Sequence, residues 1–295
     1  MKDQAHNLRE LIGSFKENKN KVMNMSTKSE NSARVLAITS GKGGVGKTNF
    51  TINLGIALSK SNKRVSIIDA DLGLGNIDVV LGMIPKFTLA NVIRKELSIL
   101  DAIIKGPNGI NIISGGSGIV DLIDLSKDKI ENLISNFYLL NQFSDYILID
   151  TGAGINNSVI SFIEASDEVI LVVTPEPTSI TDAYALIKNI RRDKKSVKLV
   201  LNRIESSKEG HEVFEKINSA TKRFLNFQIE KLGFIYEDSA VRKSVKEQKP
   251  FLLKFPNSIA SKGIESIAYN LMNNQSELKD FSSFKRFVNN LFNKI

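Results

Sequence analysis

SGKGGVGKTNF, residues 40–50, is the stretch on which the fold turns. Gly41, Gly46, Lys47 and Thr48 satisfy the spacing of a phosphate-binding loop, G-x4-G-K-[ST]. The spacing has a mechanism. Glycines let backbone N–H groups curl around phosphate oxygens, and the following helix adds the partial positive charge of its N-terminus. Lys47 is placed to neutralise β- and γ-phosphates, and the Thr48 hydroxyl to bind Mg2+. An apolar run, VLAIT (35–39), leads in, and a helical pattern over 47–60 leads out, as such a loop requires. Gly43, Gly44, Val45 and Asn49 complete the expected nucleotide-binding stretch. Lys42 is surplus: one lysine serves the phosphates, and this one sits too early in the loop to duplicate it.

Outward from the loop, apolar runs alternate with helical patterns from about residue 34 to 273. The runs are VLAIT (35–39), RVSIID (64–69), INIIS (110–114), YILID (146–150), EVILVVT (168–174), VKLVLN (197–202) and KLGFIY (231–236). Most lack strict alternation, as expected of strands buried on both faces of a parallel sheet. Helices are expected between them, for example over 47–60 and 181–193. The rhythm predicts an α/β fold: a three-layer, doubly wound, mostly parallel sheet. Two of these runs end in carboxylates at the edge where ligands bind in such sheets. IDAD supplies Asp69 and Asp71, and YILIDTGAG supplies Asp150. Acids there suit magnesium coordination and the positioning of an attacking water. Asp121, Asp124 and Asp128 read instead as solvated helix-start residues.

SGKGGVGKT, IDADLGLGN, IDTGAG and VLNR, in this order, resemble the deviant Walker A ATPases of the MinD and ParA group over about residues 32–275. The resemblance implies a slow, Mg2+-dependent ATPase. It makes Lys42 the group's signature lysine, which reaches into the partner's site when two ATP-loaded subunits form a homodimer. It makes Asp71 the acid that orients the attacking water. Asp69 would stand in the second shell of magnesium, and Asp150 would hold magnesium through water. Asp150, Thr151, Gly152, Ala153 and Gly154 would form a switch, Asn202 would read the adenine with Arg203 beside it, and Glu176, Pro177 and Asp182 would lie near the nucleotide and dimer edge. For Asp182 a plain helix-start charge is an equal reading.

The ends choose within the family. Ala5, Leu8, Ile12 and Phe15 form a helical apolar stripe, with Leu11 beside it, expected as a helix over 1–18, followed by a polar linker over 19–32. DQAHNLR, carried by Asp3, Gln4, Ala5, Leu8 and Arg9, resembles the DQAxxLR motif of the flagellar-number regulators of the FlhG group. That motif stimulates FlhF, an SRP-type GTPase. After an ATPase domain over 33–275, residues 276–295 are expected to form an amphipathic helix. Phe281, Phe284, Phe287, Val288, Leu291, Phe292 and Ile295 share one face, with Lys285, Arg286 and Lys294 elsewhere, a pattern suited to an anionic membrane surface. Packing on the protein's own body is the alternative. The resemblance thus implies a regulator of flagellar number and placement, with flagellar switch-complex proteins or a flagellar transcription regulator as further partners. A septum-site MinD or a ParA-like DNA-partitioning ATPase is the alternative.

Composition bounds the remaining classes. The chain has 295 residues, no cysteine and a net charge of +8. Without cysteine there are no thiolates for an iron–sulfur cluster, and a reducing compartment is expected. The N-terminus mixes both charge signs and no apolar run approaches the ~20 residues needed to span a bilayer, so a cytoplasmic chain is expected, reversibly associated with the inner face of the cell membrane. Lysine, asparagine and isoleucine are abundant throughout, so the charge is read as compositional, with a nucleic-acid footprint the alternative. His6 and His211 lack spaced partners and read as surface residues.

Overall fold

The computed structural model describes residues 33–71, 77–116, 136–137, 139–191 and 196–273. The expected terminal helices, the linker, Asp121, Asp124, Asp128 and His6 lie outside these residues.

Among the described residues eight strands form one sheet: β1 (Arg34–Ser40), β2 (Val65–Ala70), β3 (Ile104–Lys105), β4 (Asn111–Ile113), β5 (Tyr146–Ala153), β6 (Glu168–Val173), β7 (Val197–Ile204) and β8 (Glu230–Tyr236). Their order is β3-β4-β2-β5-β1-β6-β7-β8. Every pairing is parallel except β3 with β4. The seven strands read from apolar runs are all present. The two-residue β3 has no apolar run of its own and pairs only as an antiparallel edge.

The helices are α1 (Lys47–Lys60), α2 (Ile77–Leu81), α3 (Leu89–Ile93), α4 (Asn157–Ala165), α5 (Pro177–Ile190), α6 (Ser207–Leu225), α7 (Ser239–Lys246), α8 (Phe251–Lys254) and α9 (Ile259–Asn273). The helix expected over 181–193 begins four residues earlier, because Pro177 stands at its first turn, where no N–H is missed.

Continuous apolar strands have two faces to cover. Leu36 and Ile38 of β1 enter a core shared with α1, α8 and α9, whereas Val35 and Ala37 enter cores on the opposite face. Residues 50–58 of α1 are buried without interruption. A helix apolar all round belongs inside the protein, and α1 is enclosed by the sheet and by α8 and α9. Its first turn is therefore held firmly at the end of β1. β1 is central: the chain leaves it toward β2 on one side and later crosses from β5 to β6 on the other. Ligands of doubly wound sheets bind at such a reversal, beyond the C-terminal strand ends.

Candidate nucleotide site

Residues 41–46 join β1 to α1. Gly46, at the helix N-cap position, has φ 90°, a left-handed conformation that favours glycine. No side chain caps α1 and no acidic residue lies in its first turn. Its first N–H groups are thus left to an anion. Gly41 serves another purpose. A Cβ there would lie 2.4 Å from the backbone carbon of Asp182, so the loop passes directly against α5. That packing explains the glycine by close approach rather than by phosphate contact.

Beneath the loop, the fully buried Asp150 carboxylate gathers three donors. Lys47 Nζ and Thr51 Oγ1 each donate to Oδ1 at 3.0 Å, and Thr48 Oγ1 donates to Oδ2 at 2.7 Å. A carboxylate removed from water needs such compensation. Thr51 was not singled out by the motif. It lies one helical turn beyond Lys47, its hydroxyl oxygen also 3.0 Å from that residue's carbonyl, so helical periodicity could have found it.

Asp69 of β2 stands beside Asp150 in the sheet. It is fully buried, and its two oxygens accept from the backbone N–H groups of Asp71 and Ile77, each at 3.1 Å. Asp69 therefore secures both ends of the 71–77 connection. Asp71 is partly exposed and faces Gly152: a Cβ on that glycine would lie 3.5 Å from Asp71 Oδ1. The 150–154 segment continues β5: Thr151 Oγ1 donates to the Ile38 carbonyl, Ala153 pairs with Ser40, and Gly154 N donates to the Ser40 carbonyl. The loop and the 150–154 segment are thus coupled through β1.

Lys42 is folded back on its own subunit. Its Nζ donates to Glu176 Oε2 at 2.8 Å and to Thr178 Oγ1 at 3.0 Å, at the start of α5. The Lys42 hydrogen bond and charge, helped by Arg203, hold the Glu176 carboxyl below its ordinary value of 4.5. Thr178 lies in the stretch that carries Glu176 and Pro177, but nothing in its residue type marks it as a partner for Lys42. Asn202 donates from Nδ2 to the Val45 carbonyl at 2.7 Å, and its Oδ1 accepts from Arg203 N at 3.0 Å. His211 is exposed on α6, hydrogen-bonded to Ser207 and near Lys231.

The donor set fits a nucleotide with magnesium: a buried lysine, an uncapped helix N-terminus, the Thr48 hydroxyl and three nearby carboxylates. Among the described residues no group of three or more His, Cys, Asp or Glu could cage a metal. Magnesium here would be held through Thr48, water and phosphate oxygens, as is usual for that ion.

A ParA family model, described as "NUBPL iron-transfer P-loop NTPase", matches residues 31–272. The chain belongs to this MinD/ParA family of P-loop NTPases. Within it, the chain is similar to FleN and YlxH proteins, in keeping with the FlhG group. Antiactivator FleN of Pseudomonas aeruginosa is 44% identical over 237 residues, covering 80% of this chain and 85% of FleN. Flagellum site-determining protein YlxH of Helicobacter pylori is 35% identical over 245 residues, covering 80% of each chain. Among solved structures, the septum site-determining protein MinD of Pyrococcus horikoshii, complexed with Mg-ADP, superposes with a TM-score of 0.68 at 26% identity, over 84% of this chain and 99% of that one. Iron transfer belongs to the family model's description; this chain has no cysteine to ligate a cluster.

Proposed function

We propose that the chain is an ATP-hydrolysing switch that dimerises on ATP and regulates flagellar number and placement. The observation that carries the reading is the Asp150 cluster, which sets Lys47 and Thr48 under the uncapped start of α1. The similarity to FleN and YlxH supplies the flagellar role.

In this reading Thr48, with water, would hold magnesium, which would supply positive charge against the phosphates. Lys47 holds the β- and γ-phosphates. Asp69 and Asp150 orient the surroundings of the metal, with Asp69 fixing the segment that carries Asp71. Asp71 positions the attacking water. Lys42 leaves Glu176 to serve the partner's triphosphate, adding a cation where charge develops on the transferring group. The 150–154 segment reports the γ-phosphate to the dimer face.

Among the described residues no helix is long and apolar enough to cross a membrane. Attachment is assigned to residues 281–295, whose two copies in a dimer would bind far better than one. Residues 3–9 are assigned to FlhF. The name antiactivator, given to FleN, favours a transcription regulator as a further partner.

The test is ATP hydrolysis by the purified chain beside Asp71→Ala, which should bind MgATP but release no phosphate; a variant that turns over normally removes Asp71 from its role. In the same preparation, deleting 280–295 should end ATP-dependent liposome sedimentation, and Gln4→Ala should lose stimulation of FlhF GTPase. Unchanged results would remove the membrane and FlhF assignments respectively.

A further inference from the structure

We infer that Asn202 is a positioning residue of the phosphate loop, its side-chain amide pinning the Val45 carbonyl and thereby setting the Gly46 amide. The inference rests on the reading of this loop as the triphosphate site.

The geometry begins in β7. Val200 packs into the core on the α1 face of the sheet, while Leu199 and Leu201 enter the opposite core. Alternation therefore sends Asn202 toward the α1 face and the loop. Regular alternation would send Ile204 there too, yet Ile204 is fully buried in the opposite core, with Leu199 and Leu201. The reversal occurs at Arg203. There the pairing with β8 slips between Asn202 and Ile204, and Arg203 takes φ 61°. An extra residue in a left-handed conformation is a bulge, which re-aims a side chain at a strand end. The Arg203 N–H then donates to Asn202 Oδ1, fixing the orientation of the amide.

With Oδ1 occupied, Nδ2 faces the loop and donates to the Val45 carbonyl at 2.7 Å. The described peptides are all trans. In a planar trans peptide C=O and N–H point in opposite directions. Holding the Val45 carbonyl toward β7 therefore holds the Gly46 N–H away from it. A Cβ on Gly46 would come within 2.6 Å of Asn202 Nδ2, so loop and amide are already in contact. One hydrogen bond at each end leaves the amide a second N–H and a second lone pair, so the loop contact stands beside any contact with a base. Its effect falls on the phosphates, whatever base they carry.

The experiment compares the full-length chain with Asn202→Ala for binding of MgATP, MgITP and magnesium tripolyphosphate. ITP lacks the 6-amino group of adenine, and tripolyphosphate lacks a base. The expected result is a loss of about two- to tenfold for tripolyphosphate, the net worth of one hydrogen bond, and a loss at least as large for MgATP and MgITP. Asn202→Asp keeps the shape and the bond from Arg203 N but sets an oxygen against the Val45 carbonyl, and it should bind tripolyphosphate no better than Asn202→Ala. Unchanged tripolyphosphate affinity in both variants overturns the inference, with or without a loss of ATP-over-ITP selectivity; a loss would mark Asn202 as a reader of the base. If wild type binds neither ATP nor tripolyphosphate, the nucleotide-site reading fails instead.

Discussion

Gly41→Ala should damage the site by packing alone. The added Cβ would stand 2.4 Å from the backbone carbon of Asp182, 2.6 Å from its carbonyl oxygen and 2.7 Å from its Cβ. Carbon atoms pack best at about 3.5–4.0 Å, so loop and helix must part by about 1 Å. α5 is the less yielding side. Ala183, Leu186 and Ile187 are fully buried in the core, and Ser179 receives a hydrogen bond from Thr174 N. The displacement therefore falls on the loop. Overpacking of this kind costs about 1–3 kcal/mol, and if it is relieved by moving the loop, MgATP affinity should fall by about five- to 150-fold. Gly43→Ala is the control for fold stability, since nothing lies within 4 Å of a Cβ there. Titration calorimetry with MgATP, together with thermal melts of both variants, reads the effect. A Gly41→Ala protein that melts and binds like wild type would refute the reasoning.

Two further outcomes are expected. Because Lys42 lowers the Glu176 carboxyl below 4.5, their ion pair is intact above that value and is lost only as pH falls through the lowered one. The ratio of MgATP-driven self-association between wild type and Glu176→Gln should therefore be the same at pH 6 and pH 8, by sedimentation; a ratio that changes would place another group in control of Lys42. At the opposite edge of the sheet, buried Glu168 receives Arg34 Nε at 3.0 Å and lies 3.1 Å from Lys198 Nζ, which also reaches Glu230. Glu168→Ala leaves a nearly buried Lys198 with one partner fewer and should cost about 3 kcal/mol, lowering Tm by roughly 6–12 °C. MgATP affinity of the folded protein should not change, and a Tm within 2 °C of wild type would contradict the expected loss.

What the sequence disclosed was whatever is carried locally. Seven strands show as apolar runs, and Lys47, Thr48 and Asp150 show because a motif or a strand end marks them. The sheet then brings them together across about a hundred residues of chain. The contacts of Gly41 with Asp182, Lys42 with Glu176 and Asn202 with Val45 were not legible, since each joins residues more than 130 positions apart and has no periodic signature. Asn202 shows why. Its aim depends on a bulge at Arg203, and nothing in VLNRI announces an extra residue in the ladder. Gly41 was legible as a motif glycine, but its physical reason is a neighbouring helix that only the fold supplies.

The central claim is that bound ATP joins two chains through Lys42. Light scattering of Asp71→Ala, the variant expected to hold ATP without hydrolysing it, measures this directly when run beside the same variant carrying Lys42→Ala. With MgATP the first should double the 32.7 kDa mass of the chain, and the second should bind nucleotide yet stay single. A mass that stays at one chain under saturating MgATP, or a Lys42→Ala protein that pairs as well, would contradict the account.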